Sequence, residues 1–474
     1  MTTVADVLAD GLVRAGTARV FAVASDHDVE LVIAAVERTG LPVVPVSRPD
    51  VACVMAAISG TIDGTPGAAL IGGELGGAAA GLAYASLDRA PVIVISSGAP
   101  IPVSGAEDGT KAALAVTPQS ASHWIAHACQ LAMREPWGPV RLDVSPGVAA
   151  SAALPIATSC RPAPLPAPEP QALGAAVDLL EHAERPVVVV GRWCRSESDA
   201  VWVRAFAEAR PAPVLATPQA RGVVPDPHPL LIGILDAGGP ERTLLASADL
   251  IVMVGVDPDE MPSGTWPART KKLELTPVAP EAADRVVVSG DIGAILEELA
   301  PRLRDRRSAE WDVARLHALK QAAAAPPADA RRLAAHRAVE VARQLTPAGT
   351  IAVFDGGDFW PVAARAWQAV APGECLIAPG AATGSFAVAV ATAVQLARPD
   401  RRVVCFADPG AIRLARDPLE TVTALALPVL MVILGDVPEP PARVRSFSAA
   451  SGAGLAAVFE AALSTGAPAL VAIP

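Results

Sequence analysis

The sequence has few aromatic residues and no cluster of positive charge. Aromatics make up 4% of its 474 residues, so Ala and Val must fill most of the buried volume. The formal net charge is -11 and no Lys/Arg block offers a local basic face, which excludes a general nucleic-acid binder. No apolar run reaches the roughly 18 residues that a bilayer-spanning helix needs. The segments Ala68–Ile71 and Pro91–Ile95 therefore read as short buried strands. The opening residues, MTTVADVLADGLVRAG, read as an amphipathic helix with acidic residues rather than a signal peptide. Cys53, Cys129, Cys160, Cys194, Cys375 and Cys405 are scattered without any C-x-x-C. That spacing argues against a metal cluster and against a disulfide framework. Buried free thiols in a cytoplasmic protein are the expectation.

Hydrophobic residues amount to 52% and charged residues to 18%, which is ample material for large cores. A chain this long is expected to divide into two or three domains. Helical stretches alternate with short Val/Ile strands, the pattern of parallel sheets covered by helices on both faces. The predicted fold class is α/β, with three doubly wound parallel-sheet domains.

The first domain is predicted over 1–160. It starts with helix Val4–Ala15, strand Val20–Val23, helix Val29–Thr39 and strand Pro42–Val46, and its later strands are Ala68–Ile71, Pro91–Ser96 and Pro139–Val144. RPAPLPAPEPQ, 161–171, reads as a stiff linker, because each Pro removes a donor and fixes φ. A middle domain is predicted over 172–303, with the strand Pro186–Val190 and the strands Val214–Ala216, Leu250–Val254, Lys272–Leu275 and Arg285–Val288. Gly191 after its first strand lacks the G-x-G-x-x-G spacing of a dinucleotide fingerprint. Residues 304–333 form a charged connector. The last domain, 334–474, carries strands Thr350–Phe354, Arg402–Phe406, Pro428–Leu434 and Ala469–Ile473.

The order of segments resembles one family over nearly the whole chain. ADVLADGLVRAGTARVFAV, GTPGAALIGG, AYASLDRAPVIVIS and GPVRLDV follow in the first domain. LLEHAERPVVVVGRW, PAPVLATPQARGVVPDPHPLLIGIL and ASADLIVMVGVDPDE follow in the middle, and IAVFDGGDFW, ATAVQLARPDRRVVCF and LETVTALALPVLMVIL in the last. Together they resemble the thiamine-diphosphate-dependent enzymes of the acetolactate synthase and benzoylformate decarboxylase type. The resemblance implies pyrimidine-binding-like, middle and diphosphate-binding-like domains, with thiamine diphosphate and Mg2+ as cofactors. It also implies a site formed between the first domain of one chain and the last domain of another, hence a homo-oligomer or a family paralogue as partner.

Several positions depart from the family pattern. Family members carry a Glu after the second strand, hydrogen-bonded to the cofactor's pyrimidine ring and promoting its imino tautomer. Here the segment is Ser47-Arg48-Pro49-Asp50, with Pro49 at the Glu position. Asp50 is the obvious substitute, one residue late and one methylene short; one residue moves the chain about 3.8 Å and redirects the side chain. Alternatively, Ser47-x-x-Asp50 fits a capping box at a helix start. The family turn G-P-G-x-x-N has become Gly72-Gly73-Glu74-Leu75-Gly76-Gly77, with Gly77 at the Asn position, and the following A-x-x-D-x-x-P survives as Ala85 to Pro91. No clear counterpart of the Gln-Glu pair often seen in the acetolactate synthase branch occurs near Glu107-Asp108.

The metal and diphosphate signature, G-D-G and then N-N, corresponds to Ala407-Asp408-Pro409-Gly410 and Gly435-Asp436. Asp408 and Asp436 at adjacent strand ends suit a hard cation such as magnesium; the alternative is that both are strand-end acids capping the turns that follow. Pro409 lacks the N–H that a phosphate would want. The glycines expected beside the cofactor are Gly72, Gly73, Gly77, Gly384 and Gly410. The family's cover over the diphosphate is expected to be largely missing after Asp436. Arg443 and Arg445 there are either substitute phosphate contacts or part of a solvated loop. His27, placed in the loop after the first strand, is the best retained polar group. His123 and His127 lie four apart without a third ligand, which makes zinc improbable.

Three functions remain open at this point. The chain is an atypical 2-oxo acid decarboxylase or carboligase that works without the usual Glu. Otherwise it is a degenerate paralogue with a structural or regulatory role, or its cleft serves thiamine-independent chemistry.

Overall fold

A computed structural model describes residues 1–474 except 25, 74, 99–108, 236–238, 240, 262–263, 281–283, 304–308, 357–359, 379–385, 438–440, 442 and 450–453. Three parallel six-stranded sheets with interleaved helices make up the architecture, as the sequence pattern predicts.

The first sheet is built from β1 (Val20–Val23), β2 (Val43–Pro45), β3 (Gly67–Gly72), β4 (Val92–Ser97), β5 (Ala112–Val116) and β6 (Val140–Val144), in the order β2-β1-β3-β4-β6-β5. Its helices are α1 (Val4–Ala15), α2 (His27–Arg38), α3 (Pro49–Asp63), α4 (Ala79–Leu87) and α5 (Ala121–Ala132). The α1 start is fixed by Thr3, whose hydroxyl accepts from Asp6 N–H while the Asp6 carboxylate accepts from Thr3 N–H, a reciprocal capping box. Val4, Val7, Leu8 and Leu12 then fall on one buried face against α2 and α5.

The second sheet contains β7 (Pro186–Val190), β8 (Val214–Ala216), β9 (Leu231–Ile234), β10 (Leu250–Val254), β11 (Lys271–Thr276) and β12 (Val286–Ser289), in the order β12-β11-β10-β7-β8-β9. Every residue of β7 and β10 is buried, which is why these strands read as unbroken apolar runs rather than alternating ones. α6 (Pro170–His182), α7 (Glu197–Ala209), α8 (Glu241–Ser247) and α9 (Ile292–Leu303) accompany them. Residues 162–169 of the Pro-rich stretch adopt neither helix nor strand. Pro170 and Gln171 open α6, so the linker expected over 161–171 ends two residues early, with Pro170 at a first helical position that needs no N–H. Within the charged connector, α10 (Val313–Ala324) packs on β9, and Trp311 Nε1 donates to the Pro186 carbonyl at 3.0 Å.

The third sheet is formed by β13 (Ile351–Phe354), β14 (Cys375–Ile377), β15 (Val403–Ala407), β16 (Val429–Leu434), β17 (Arg445–Ser448) and β18 (Ala469–Ile473), in the order β14-β13-β15-β16-β18-β17. Around it run α11 (Ala330–Leu345), α12 (Trp360–Ala366), α13 (Ala387–Ala397), α14 (Pro409–Leu414), α15 (Arg416–Ala424) and α16 (Leu455–Leu463). One compact unit comprises 1–163, 353–357 and 378–474, and a second comprises 164–352 and 358–377. The first unit therefore holds the first sheet together with β15 to β18. Among the described residues, no helix is long and apolar enough to cross a membrane.

Sequence and structure differ at four strands that the periodicity does not show: β5, β9, β14 and β17. All four are edge strands. One side of an edge strand faces no partner, so its burial is incomplete and its apolar pattern is weak; β5 and β17 are mostly half-buried or exposed.

Candidate functional site

Within the first unit, α3 begins where the family's carboxylate is expected. Pro49 occupies the first helical position, where its missing N–H costs nothing and its φ suits a helix. That placement makes Arg48 the N-cap, without any side-chain capping bond. The expected capping box is thus corrected: Ser47 lies outside the helix and does not cap it. Instead the backbone N–H groups of Ser47 and Arg48 donate to the carboxylate of Asp417, at 3.1–3.2 Å and 3.1 Å respectively. Asp417 is buried in the first turn of α15. At the other end of α3, Arg398 donates to Asp63 at 3.1 Å and to the Ile62 carbonyl at 2.9 Å. Tyr84 meets Phe386 edge-on, at 5.9 Å between ring centroids. The helix carrying the Glu position is therefore held at both ends by residues more than three hundred positions later.

Asp50, the substitute carboxylate, is buried and already engaged. Its Oδ1 accepts from Arg48 Nε at 3.1 Å and from Val51 N–H at 2.9 Å, and its Oδ2 pairs closely with the same guanidinium. The Pro49 ring faces Gly77, which lies in a single 3-10 turn, Leu75–Ala78. A Cβ on residue 77 would stand 3.4 Å from Pro49 Cγ. Thus the two positions where the family pattern has Glu and Asn meet here as an apolar ring and a bare backbone. Gly72 closes β3, and Gly73 adopts φ +79 in open space.

His27 is not in a loop. It is the first residue of α2 and is exposed, and Asp26 caps that helix by accepting from Val29 N–H at 3.0 Å. This cap starts the helix two residues earlier than the apolar pattern, which begins at Val29, suggests. His123 and His127 stack on α5 with ring centroids 5.9 Å apart.

In the third sheet, Asp408 follows β15 and Asp436 follows the neighbouring β16. Asp408 makes no side-chain capping bond to α14, so the capping alternative does not describe it. Asp436 is exposed. Between them Pro409 packs on Gly435, where an added Cβ would come within 2.6 Å of Pro409 Cγ. Gly410, next in α14, faces open space. Gly384 and the pair Glu107-Asp108 lie outside the described residues. Arg443 and Arg445 are both exposed, and Arg445 belongs to edge strand β17, separated from β16 by β18.

A third carboxylate, inside the segment IAVFDGGDFW but not among the site residues expected from the sequence, stands beside Asp408. Asp355 directly follows β13, the other neighbour of β15, and its N–H donates to the Phe406 carbonyl at 2.9 Å. The rings of Phe354 and Phe406 stack with centroids 5.0 Å apart. Asp355 Oδ1 accepts from Gly356 N–H at 3.1 Å, while its buried Oδ2 has no hydrogen-bond partner among the described residues. Burial, aided by the negative charge of Asp408, pushes the Asp355 carboxyl up to about 7 against the opposing N–H groups of Gly356 and Ala387. A signal is present in the sequence: an acid immediately after the predicted strand Thr350–Phe354.

This geometry sits on three sheets that match three family descriptions in order. Residues 2–122 match the thiamine pyrophosphate enzyme N-terminal TPP binding domain, 173–299 the central domain and 355–436 the C-terminal TPP binding domain. The chain belongs to the thiamine pyrophosphate enzyme family. Its similarity to curated members is distant. It is 27% identical over 390 residues to the acetolactate synthase large subunit of Parasynechococcus marenigrum, covering 75% of this chain and 63% of that protein. It is 22% identical over 486 residues to 2-hydroxyacyl-CoA lyase 1 of Mus musculus, covering 91% and 80% respectively. It is 27% identical over 281 residues to oxalyl-CoA decarboxylase of Escherichia coli K12, covering 52% and 49%.

Membership of this thiamine pyrophosphate family implies a cofactor, and the residues present fit it poorly. At the pyrimidine end stands Pro49, and the adjacent Asp50 is engaged by Arg48. At the diphosphate end, Pro409 offers no N–H and its ring fills the space beside Gly435. Asp408 and Asp436 place two carboxylates after adjacent strands, which disfavours an anionic diphosphate there unless a cation intervenes.

Proposed function

We propose that this chain keeps the family scaffold without the family's cofactor activation, and acts as a structural or regulatory member. It would assemble with copies of itself or with a competent family paralogue. The observation that carries this reading is the start of α3. A proline stands where a proton-transferring carboxylate is required, in contact distance of Gly77, and the neighbouring Asp50 is paired with Arg48. A carboxylate held bidentately by a guanidinium must leave that partner before it can turn toward a ligand.

A second reading is supported by Asp355. Its buried oxygen beside Asp408, without a partner among the described residues, suits a cation ligand, and Asp436 after the neighbouring β16 would supply a further oxygen. On this reading Asp408 and Asp436 hold Mg2+, thiamine diphosphate binds, and the chain is an atypical lyase or transferase acting on a 2-oxo acid. The names of its relatives, a synthase, a lyase and a decarboxylase, point the same way.

Isothermal titration of the purified chain with thiamine diphosphate and Mg2+ separates the two. The first reading expects no heat and no thermal shift at millimolar cofactor. Saturable binding that is lost on Asp408→Ala or Asp436→Ala would overturn it in favour of the second. Co-purification with a full-length family member tests the partner role.

A further inference from the structure

The segment leading from β6 toward the Pro-rich stretch is strapped along α5. Ser122 Oγ donates to the Leu154 carbonyl at 2.6 Å and accepts from Ile156 N–H at 3.1 Å. Two turns further on, Gln130 Nε2 donates to the Ser159 carbonyl at 2.6 Å, and Arg14 of α1 donates to the Thr158 carbonyl at 2.7 Å. These bonds bring residues 159 and 160 alongside residues 129 and 130. Cys129 and Cys160 belong to the same apolar core cluster, and the Cys160 Sγ lies 3.6 Å from the Gly11 carbonyl oxygen. All six cysteines are free and buried, but Cys160 lies shallowly, between the exposed Ser159 and Arg161.

We propose that Cys129 and Cys160 are a reactive dithiol that closes to a reversible disulfide when the protein meets a peroxide. The Cys160 thiol donates to the Gly11 carbonyl of α1 at 3.6 Å, and Cys129 is near enough for each thiol to shift the other's ionisation. The neighbouring Cys129 thiol, and after it the Arg14 guanidinium, bring the Cys160 thiol down to about 7 in spite of burial, whereas Cys129 is raised. Cys160 is therefore the nucleophile and Cys129 the resolving thiol. In the first step the Cys160 thiolate attacks one oxygen of hydrogen peroxide, the O–O bond breaks, and hydroxide leaves and takes up a proton as water. Cys160 is then a sulfenic acid. In the second step the Cys129 sulfur attacks the Cys160 sulfur, the S–OH bond breaks, and hydroxide leaves with the Cys129 proton as a second water. Two thiols are oxidised and one peroxide is reduced to two waters. The product locks the strap onto α5 and closes a loop of about thirty residues, which constrains the unfolded chain.

The test treats the full-length reduced protein with hydrogen peroxide, alkylates the remaining thiols in denaturant, and maps the peptides by mass spectrometry. The expected result is the loss of two of the six titratable thiols. A single Cys129–Cys160 linked peptide should account for that loss, and dithiothreitol should reverse it. Cys129→Ser should stop at a Cys160 sulfenic acid that dimedone traps. Linkage of any other pair, oxidation of Cys160 to sulfinic acid without linkage in the wild type, or six thiols still titratable after prolonged millimolar peroxide would each overturn the proposal. The wild-type measurement is decisive by itself if the serine variant does not fold.

Discussion

The Asp417 carboxylate accepts the backbone N–H of Ser47, and with it that of Arg48, across 370 positions of sequence. This contact fixes the strand-to-helix turn that carries the altered Glu position. Asp417→Ala removes the acceptor for two donors, one of them half-buried, and is expected to cost about 1–2 kcal/mol. Asp417→Asn keeps one acceptor oxygen and should cost roughly half as much. Urea denaturation of the two variants measures both values, and equal stability of Asp417→Ala and wild type would contradict the contact.

Pro409 and Gly435 form the second altered place. Gly435 adopts φ +146, and a Cβ there would approach Pro409 Cγ to 2.6 Å. Gly435→Ala is expected to cost about 2–3 kcal/mol, from backbone strain and from the clash together. In the Pro409→Ala background the clash disappears while the strain remains. A double-mutant cycle should therefore show a favourable coupling of about 1 kcal/mol. A coupling of zero would mean that the ring does not occupy that space.

Much of this fold was legible because the central strands of doubly wound sheets are apolar throughout. Pro186–Val190 is the same strand in sequence and structure. The edge strands were not legible: β14 has three residues and β17 alternates only weakly. At the site, the departures at Pro49, Gly77, Pro409 and Asp436 could be read from motif order. The consequences could not. Ser47-x-x-Asp50 has capping-box spacing, yet Pro49 prefers the first helical position and so moves the cap to Arg48. Neither the Arg48–Asp50 pair nor the Asp417 anchor leaves a local pattern, since the first depends on which way two side chains turn and the second on tertiary structure.

The α1 capping box gives a pH signature. Thr3 N–H, and then Arg38, hold the Asp6 carboxyl down at about 2, below its ordinary 3.8. A depressed carboxyl stabilises the fold above its unfolded value and loses that contribution as pH falls through its folded value, here from about 4 toward 2. Solvent screens the partly exposed pair with Arg38, so the cap carries most of the effect. Asp6→Asn should therefore cost about 0.5–1 kcal/mol at pH 7 and little near pH 2. Thermal melts of both proteins across pH 2 to 7 would show the two curves converging in acid; parallel curves would contradict the assignment.

On the reading favoured above, no group of this chain activates the thiamine cofactor. Hydrogen–deuterium exchange at the thiazolium carbon, followed by rapid quench and NMR with the chain in excess over thiamine diphosphate and Mg2+, tests that most directly. The expected rate is that of free cofactor for the wild type. Acceleration by wild type over free cofactor, lost on Asp50→Asn, would contradict the account and assign Asp50 the role that Pro49 cannot perform.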